Sequence, residues 1–493
     1  MSLFNKIWEF FFGSKKEAVV MRWKLKRPAP SNKPTVSSAI NKSPIEYLLN
    51  DPTTPNLVKS VQIPSDPINS KFVIKSYKGG GYAKGTAEFQ AANCHVTICN
   101  SINYYNTQTD KYIPRWPGTS ILNVIPRAGT DLNAYYDRRS LKFFYMSNNK
   151  FGTVFTADST DIVAHELGHS ILDAYRPETW NAASLEVAAF HEAFGDITSI
   201  LHAMLYDEVI NHVLQQTGGN LRKQNIVSNL AEQFGSAIHA IDSTSGRNPM
   251  YLRSAINDFK YINPGSLPKN VNNDNELAAE SHNFSRIFLG AFYEILVMIY
   301  EDILSTGVSA LDAVKQARDI MAKYILKSIQ NAPVNVKFYE SMAKTLLWAD
   351  VTLSNRKYHD RMHAIFMNRQ ILTHNLSALS LNVPKCNDES CVLKIQGNLR
   401  CKLANKFIMA QSDNPLYNVE INVPKQQIYL YDSEKNFYDA VIVDEDETLS
   451  GAHEMIIHLH ETNSVSDDPK TPFEIKDGKL VRTCISCGGC CGL

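Results

Sequence analysis

The amino-acid sequence predicts an α+β protein, and three observations predict it. Between residues 72 and 146, short stretches rich in β-branched and aromatic residues are bounded by Gly, Asn and Pro, the pattern of strands. From Asp161 to about residue 375 the apolar residues recur at helical spacing. Beyond about residue 378 strand-like stretches return. Runs of strands and runs of helices, each in blocks, define the α+β class.

The elements follow in order. Residues 1–69 form a leader: a short amphipathic helix with a basic follower, then a stretch rich in Pro, Ser, Asn and Lys. Lys6 and Glu9 interrupt the apolar core of that helix, so it is not a secretory signal. It is a terminus docked on the body or loose, or else a segment lying on a membrane surface. Strands are expected at 72–77, 94–105, 120–126 and 140–146. Helices are expected at 161–175, stopped by Pro177, and at 184–215, 222–242, 275–303, 307–331, 335–348 and 355–375. Strands are expected again at 418–423, 428–432, 438–443 and 455–460. On the last of these His458 and His460 would share one exposed face, and the acidic run at 444–447 is a solvated turn. The polar stretch SVSDDPKTP links this region to the C-terminus. There is no long internal repeat. The resulting spans are 1–69, 70–177, 178–377, a small β-rich domain at 378–465, and a linker with a cysteine-rich tail at 466–493.

Composition bounds the function. Lys plus Arg and Asp plus Glu are 50 each, and such a balance argues against nucleic acid as the partner. No apolar run reaches the roughly 18 residues of a membrane span. With no signal and no span, the expected compartment is the cytoplasm, or the outside by a signal-independent route. Nine cysteines is an odd count, with Cys484, Cys487, Cys490 and Cys491 crowded into the end. That is not a disulfide-stapled scaffold. The tail CISCGGCCGL keeps several readings: soft-metal binding, a redox pair, a loose fit to a prenylation signal spoiled by Gly492, or an incidental end. Peripheral membrane contact, if any, runs through the N-terminal helix or this tail.

The chemistry starts at DIVAHELGHSILDAY, residues 161–175. His165 and His169 are four apart, so their imidazoles lie on one helix face about 6 Å apart. Both can point at one metal ion. Glu166, roughly 100° round the helix, can touch a water on that metal without being a ligand. Catalytic zinc usually takes three protein ligands and keeps one position open. Six residues past His169 stands Tyr175, not the third histidine of a metzincin. In the next helical stretch, 186–200, Glu192 and Asp196 share a face. Glu192 can complete a His₂Glu set, and Asp196 can fix the tautomer of a ligating histidine. His191 points away from that face.

HELGH followed by EAFGDI resembles the thermolysin family of zinc metallopeptidases. Further segments extend the likeness in order over about residues 90 to 300. LNAYYDRRSLKFFY (132–145) resembles the family's substrate-binding edge strand, which implies backbone contacts from Asn133 and Ala134 with Tyr136 following. LRSAINDFKY (252–261) resembles the segment whose arginine binds the substrate carbonyl, which implies that role for Arg253 and a wall of the S1′ pocket for Leu252. Ile162 matches another wall. ESHNFSRIFLGAFYEIL (280–296) resembles the helix whose first histidine stabilises the tetrahedral intermediate, here His282. The likeness implies a two-lobed zincin. A β-rich lobe to residue 177 would carry the zinc helix, a helical lobe to 377 would supply Glu192, Arg253 and His282, and one catalytic Zn²⁺ would act on a peptide or protein substrate.

The sequence also departs from the family. The tyrosine that helps polarise the carbonyl would fall at Trp180, with Tyr175 the nearest substitute. The acidic support of the catalytic histidine would be Glu276 or Glu280, neither at the matching offset. Asp161 matches one calcium position, but Ala203 stands where a Glu belongs, so the calcium cluster is expected to be absent or altered. The leader would be a short inhibitory segment. The function implied is a zinc endopeptidase preferring a hydrophobic residue after the cut. The opposing one is a binding or effector protein on a degenerate peptidase scaffold.

Overall fold

The computed structural model is mixed α/β, about 48% helix and 16% strand. It describes residues 45–61, 71–77, 82–373 without 111, 244–247 and 272, the pairs and strands at 394–395 and 398–402, and 420–486 without 432–433, 435–436, 444, 463 and 467–470. The N-terminal amphipathic helix and the thiols Cys386, Cys391, Cys487, Cys490 and Cys491 lie outside the described residues. Lys42–Leu493 groups as one unit.

Strands β1 (Ile45–Leu48) and β2 (Val58–Val61) pair as a hairpin. Strands β3 (Phe72–Val73), β4 (Leu122–Ile125), β5 (Ala134–Tyr136) and β6 (Ser140–Phe143) build the main sheet. Its order is β18-β5-β6-β4-β3, where β18 is Ile485–Ser486 from the far end of the chain. β3, β4 and β6 run parallel; β5 and β18 run antiparallel to their neighbours. Two short antiparallel pairs follow, β7 (Tyr145–Asn148) with β8 (Gly152–Phe155), and β9 (Asn229–Leu230) with β10 (Arg253–Ser254).

Helix α1 (Ala87–Thr107) precedes the sheet's later strands, and α2 (Thr160–Tyr175), α3 (Leu185–Ala203), α4 (Asp207–Thr217) and α5 (Glu232–Ile241) follow them. Next come α6 (Ser281–Leu304), α7 (Ala310–Asn331), α8 (Phe338–Ser354) and α9 (His359–Asn368). α2 is the centre of the core: every residue from Thr160 to Ala174 is buried. It stops at Tyr175, just before Pro177, as a helix must where the ring clashes with the preceding turn.

The strand expected at 94–105 is instead the body of α1. β-branched residues there disfavour a helix only slightly. Ile98, Ile102 and Tyr105 fall on one helical face and are buried, and Thr86 caps the start by accepting from the Phe89 N–H. Burial of that face outweighs local propensity.

After α9 the described strands are β11 (Lys394–Ile395), β12 (Asn398–Lys402), β13 (Glu420–Pro424), β14 (Gln427–Tyr431), β15 (Phe437–Val441), β16 (Phe473–Lys476) and β17 (Lys479–Arg482). The strand expected at 455–460 is helical, within α10 (Glu445–Glu461). Residues 445–447 of the acidic run taken as a turn are the first of this helix. Ala452, Met455 and Leu459 are its buried, helically spaced face. His458 is therefore buried on a helix, not exposed on a strand. Two described residues of the stretch expected to form a β domain touch the helical region. Asn422 of β13 bridges to Ala182, and the Gln426 side chain accepts from the Val334 N–H and Arg176.

Candidate active site

Two glycines set the geometry. A Cβ on Gly168 of α2 would lie 2.9 Å from the Gly195 Cα and 2.8 Å from Thr198 Oγ1. A Cβ on Gly195 of α3 would lie 2.7 Å from the His165 ring. Real contacts are never that close, so only glycine lets α2 and α3 cross at this separation. The crossing carries the HELGH face onto the EAFGDI face.

The four side chains meet there. His165 Nε2 is 3.3 Å from Glu192 Oε2, and His169 Nε2 is 3.8 Å from Glu192 Oε1. One ligand atom from each of His165, Glu166 and His169 lies within 4.8 Å of the others. All are buried, yet His165 Nε2, both ring nitrogens of His169, both Glu166 oxygens and Glu192 Oε2 make no hydrogen bond. Buried polar atoms are nearly always satisfied. One ligand atom from each of His165, Glu166 and His169 within 4.8 Å of the others, with Glu192 beside them, fits a metal ion, and two imidazoles with a carboxylate suit zinc chemistry.

Asp196 supports this group. Its carboxylate accepts from His165 Nδ1 at 2.8 Å and takes a two-point bond from Arg253, also at 2.8 Å. The first bond leaves His165 Nε2 as the free ligand atom. Burial opposes ionisation of Asp196, but Arg253 and His165 hold its carboxyl below the usual range. Burial works against a charge on His165 too, but Asp196 and Glu192 push it up to about 9. Burial raises the Glu166 carboxyl to about 8. It lowers His169 far below the usual imidazole value, helped by the charges of His165 and His282.

His282 stands at the first turn of α6. Its Nε2 is 3.3 Å from Glu192 Oε2, and its Nδ1 is 2.7 Å from Glu280 Oε1. Glu280 is the N-cap of α6 and accepts from the His282 and Asn283 N–H groups. So one carboxylate caps the helix and orients its first imidazole. Of the two acidic candidates, Glu280 touches His282; Glu276 meets Asn283 and Arg286 through its carbonyl.

The remaining expected residues are spread. Asn133 is buried and its Oδ1 accepts from the Ala134 N–H. Ala134 and Tyr136 belong to β5, but the Tyr136 hydroxyl is turned inward and donates to Asp173, which also pairs with Arg138. Ile162 is buried in the first turn of α2, and Leu252 lines an open cavity with Arg253, Asn257 and Arg286. His191 is bonded to Thr179 Oγ1, with its ring 5.9 Å from that of His169. Trp180 is buried between Tyr136 and Arg138, and its Nε1–H donates to the Arg482 carbonyl.

Two groups of residues have no counterpart in the sequence reading. His458 of α10 lines a small cavity with Glu192, Glu280, His282, Cys484 and Ile485. Asp161 meets Asp51 through Ser159, whose hydroxyl bonds both carboxylates, and Glu232 lies beside them. Burial and mutual repulsion raise Asp51 to about 7 and Glu232 to about 8. No periodicity marks either group, because each joins residues far apart in the chain.

No family model matches the chain, and no curated protein does. Among solved structures it is similar to the precursor of protealysin, a metalloproteinase from Serratia proteamaculans. The identity is 13%, over 60% of this chain and 83% of that one, with a TM-score of 0.36. A likeness that slight carries no weight beside the geometry. Among the described residues no helix is long and apolar enough to cross a membrane.

Proposed function

We propose that the chain is a zinc-dependent endopeptidase on a two-lobed thermolysin-like scaffold. The observation that carries this is the buried convergence of His165, His169, Glu192 and Glu166, unsatisfied by hydrogen bonds, with His165 held by Asp196. His165, His169 and Glu192 would hold the ion. A bound zinc supplies an acidified water and polarises the scissile carbonyl.

The protein's own groups do the rest. Glu166, beside the two histidines and not needed as a ligand, is suited to take a proton from water and return it to the leaving amine. His282, oriented by Glu280, donates toward the developing oxyanion. Arg253 fixes Asp196 and borders the cavity that also contains Leu252. A hydrophobic side chain after the cut would rest against Leu252 and Ile162. Asn133 and Ala134 on the β5 edge would align the substrate backbone.

The second reading is a binding or effector protein on an inactive scaffold. It is favoured by Trp180, which replaces a hydroxyl with an indole N–H already bonded to Arg482.

Metal content and cleavage of a protein substrate, measured for the native chain and for Glu166→Gln, separate the two. The peptidase reading expects about one zinc in both and cleavage only in the native form. Zinc in both with cleavage in neither leaves the scaffold; no zinc in either removes the site.

A further inference from the structure

The segment Arg482–Ile485 borders the cavity that holds Glu192 and His282. After the hairpin β16–β17 the chain crosses to the main sheet, and β18 pairs antiparallel with β5, Ile485 opposite Tyr136 and Ser486 opposite Tyr135. β18 thereby takes the outer edge of the sheet. Arg482 is clasped just before this point. Its N–H donates to Asn181 Oδ1 at 3.0 Å, its carbonyl accepts from Trp180 Nε1 at 3.1 Å, and its Nε donates to the Trp180 carbonyl at 2.8 Å. Cys484 is fully buried against Tyr135 and Phe144, and Ile485 is 3% exposed. Arg482, Cys484 and Ile485 line one cavity with Glu192 and His282, of only about 40 Å³. That is room for a few water molecules.

An open sheet edge binds extended peptides through backbone hydrogen bonds, with pockets taking alternate side chains. Here the outer edge of β5 is already paired, and by this chain. The pairing is short, two residues. We infer that Arg482–Ser486 is the resident strand of the β5 edge and that a peptide engages this edge only when the strand leaves. The ligand class is an extended peptide with an aliphatic side chain at the place of Ile485. That the β5 edge takes a peptide rests on the proposed function; its occupation by β18 does not.

The test uses the full chain, zinc-loaded and kept reduced, with fluorescein-labelled casein as the probe. Binding is measured in Glu166→Gln, alone and combined with Ile485→Asp or with Arg482→Ala. Cleavage is measured in the same variants with Glu166 intact. A resident strand that leaves the edge open about a tenth of the time weakens binding about tenfold. Both releasing variants are therefore expected to bind casein about tenfold tighter, and a synthetic peptide of residues 480–493 added in trans should reverse the gain. Unchanged casein affinity in variants whose melting temperature is native overturns the inference. If Ile485→Asp does not fold, Arg482→Ala decides alone. Tighter binding without cleavage in any zinc-loaded form keeps the resident strand and removes the peptidase. Cleavage equal in native and released forms keeps the peptidase and removes the resident strand.

Discussion

The helix pair α2–α3 and the segment Arg482–Ser486 both bear on Glu192, and they are held in opposite ways. The helices cross at two glycines that admit no extra atom, and His165, Glu192 and Asp196 are tied there to one another, to Arg253 and to His282. The segment is held at a sheet edge: Arg482 is clasped, Thr483 donates to the Thr471 and Pro472 carbonyls, Cys484 and Ile485 are buried, and the pairing with β5 is two residues long. Close packing resists small changes because a core has no slack. A two-residue pairing gives up few backbone hydrogen bonds when it opens. The comparison teaches that this site has a fixed half, which would do chemistry, and a removable half, which would control access.

The largest expected effect lies in the fixed half. Glu166→Gln keeps the two histidines and Glu192, so metal stays, while cleavage falls by about 10²- to 10⁴-fold. Single-turnover assays on metal-loaded protein check it. A variant that loses metal and activity together would mean Glu166 is a ligand, and the fixed half would need redrawing. Next is Asp196→Asn. It breaks the buried bonds to His165 and Arg253, so metal affinity should drop about 10- to 100-fold by competition with a chelator. It should also destabilise, since breaking a buried pair strands the other charge, at about 3 to 5 kcal/mol.

A third change tests the packing itself. Gly195→Ala puts a methyl group 2.7 Å from the His165 ring. The ring is pinned by Asp196, so it cannot step aside cheaply. The expected cost is about 1 to 3 kcal/mol in denaturant unfolding, with weaker metal binding. If it is tolerated while Ile485→Asp unfolds the protein, the contrast between the two halves is reversed.

The fixed half was also the legible half. An i, i+4 histidine pair and an i, i+4 carboxylate pair are local patterns, and helical geometry turns them into faces. Their meeting could be expected because a catalytic zinc usually takes a third protein ligand, which Glu192 can supply. Glu280 did not fit the expected offset, because a cap is placed by the turn before the helix, not by helical spacing. Residues 94–105 and 455–460 misled for one reason: β-branched runs read as strands unless the burial of a helical face is known. Asp51 and His458 reach their neighbours from more than a hundred residues away, and no window of sequence contains such a contact. β18 is two residues long, too short for any period, so CISC could be read only as thiols.

The effects spread over the widest pH range come from titration, and they carry opposite signs on the two sides. Glu232, beside Asp51 and Asp161 near the start of α2, is raised from 4.5 to about 8, by burial and then by Asp51. Between those values the folded chain keeps a proton the unfolded chain has lost, so stability falls as pH rises through the window. His458, in the cavity of the removable half, is lowered from 6.5 to about 4 by burial. Below pH 6.5 the unfolded chain binds a proton that the folded chain refuses, so stability is lost as pH falls toward 4. Each contribution is at most on the order of 3 to 5 kcal/mol at full extent. Melting curves against pH for the native chain, Glu232→Gln and His458→Gln isolate them. Glu232→Gln should flatten the decline from pH 5 to 8, and His458→Gln the decline from 6.5 to 4. The His458 term has a further consequence for the comparison. A charge forming beside Ile485 and Cys484 disfavours their buried position, so casein binding to Glu166→Gln should strengthen as pH is lowered from 7 to 5. That gain should vanish in His458→Gln; a gain that persists would place the acid-sensitive group elsewhere.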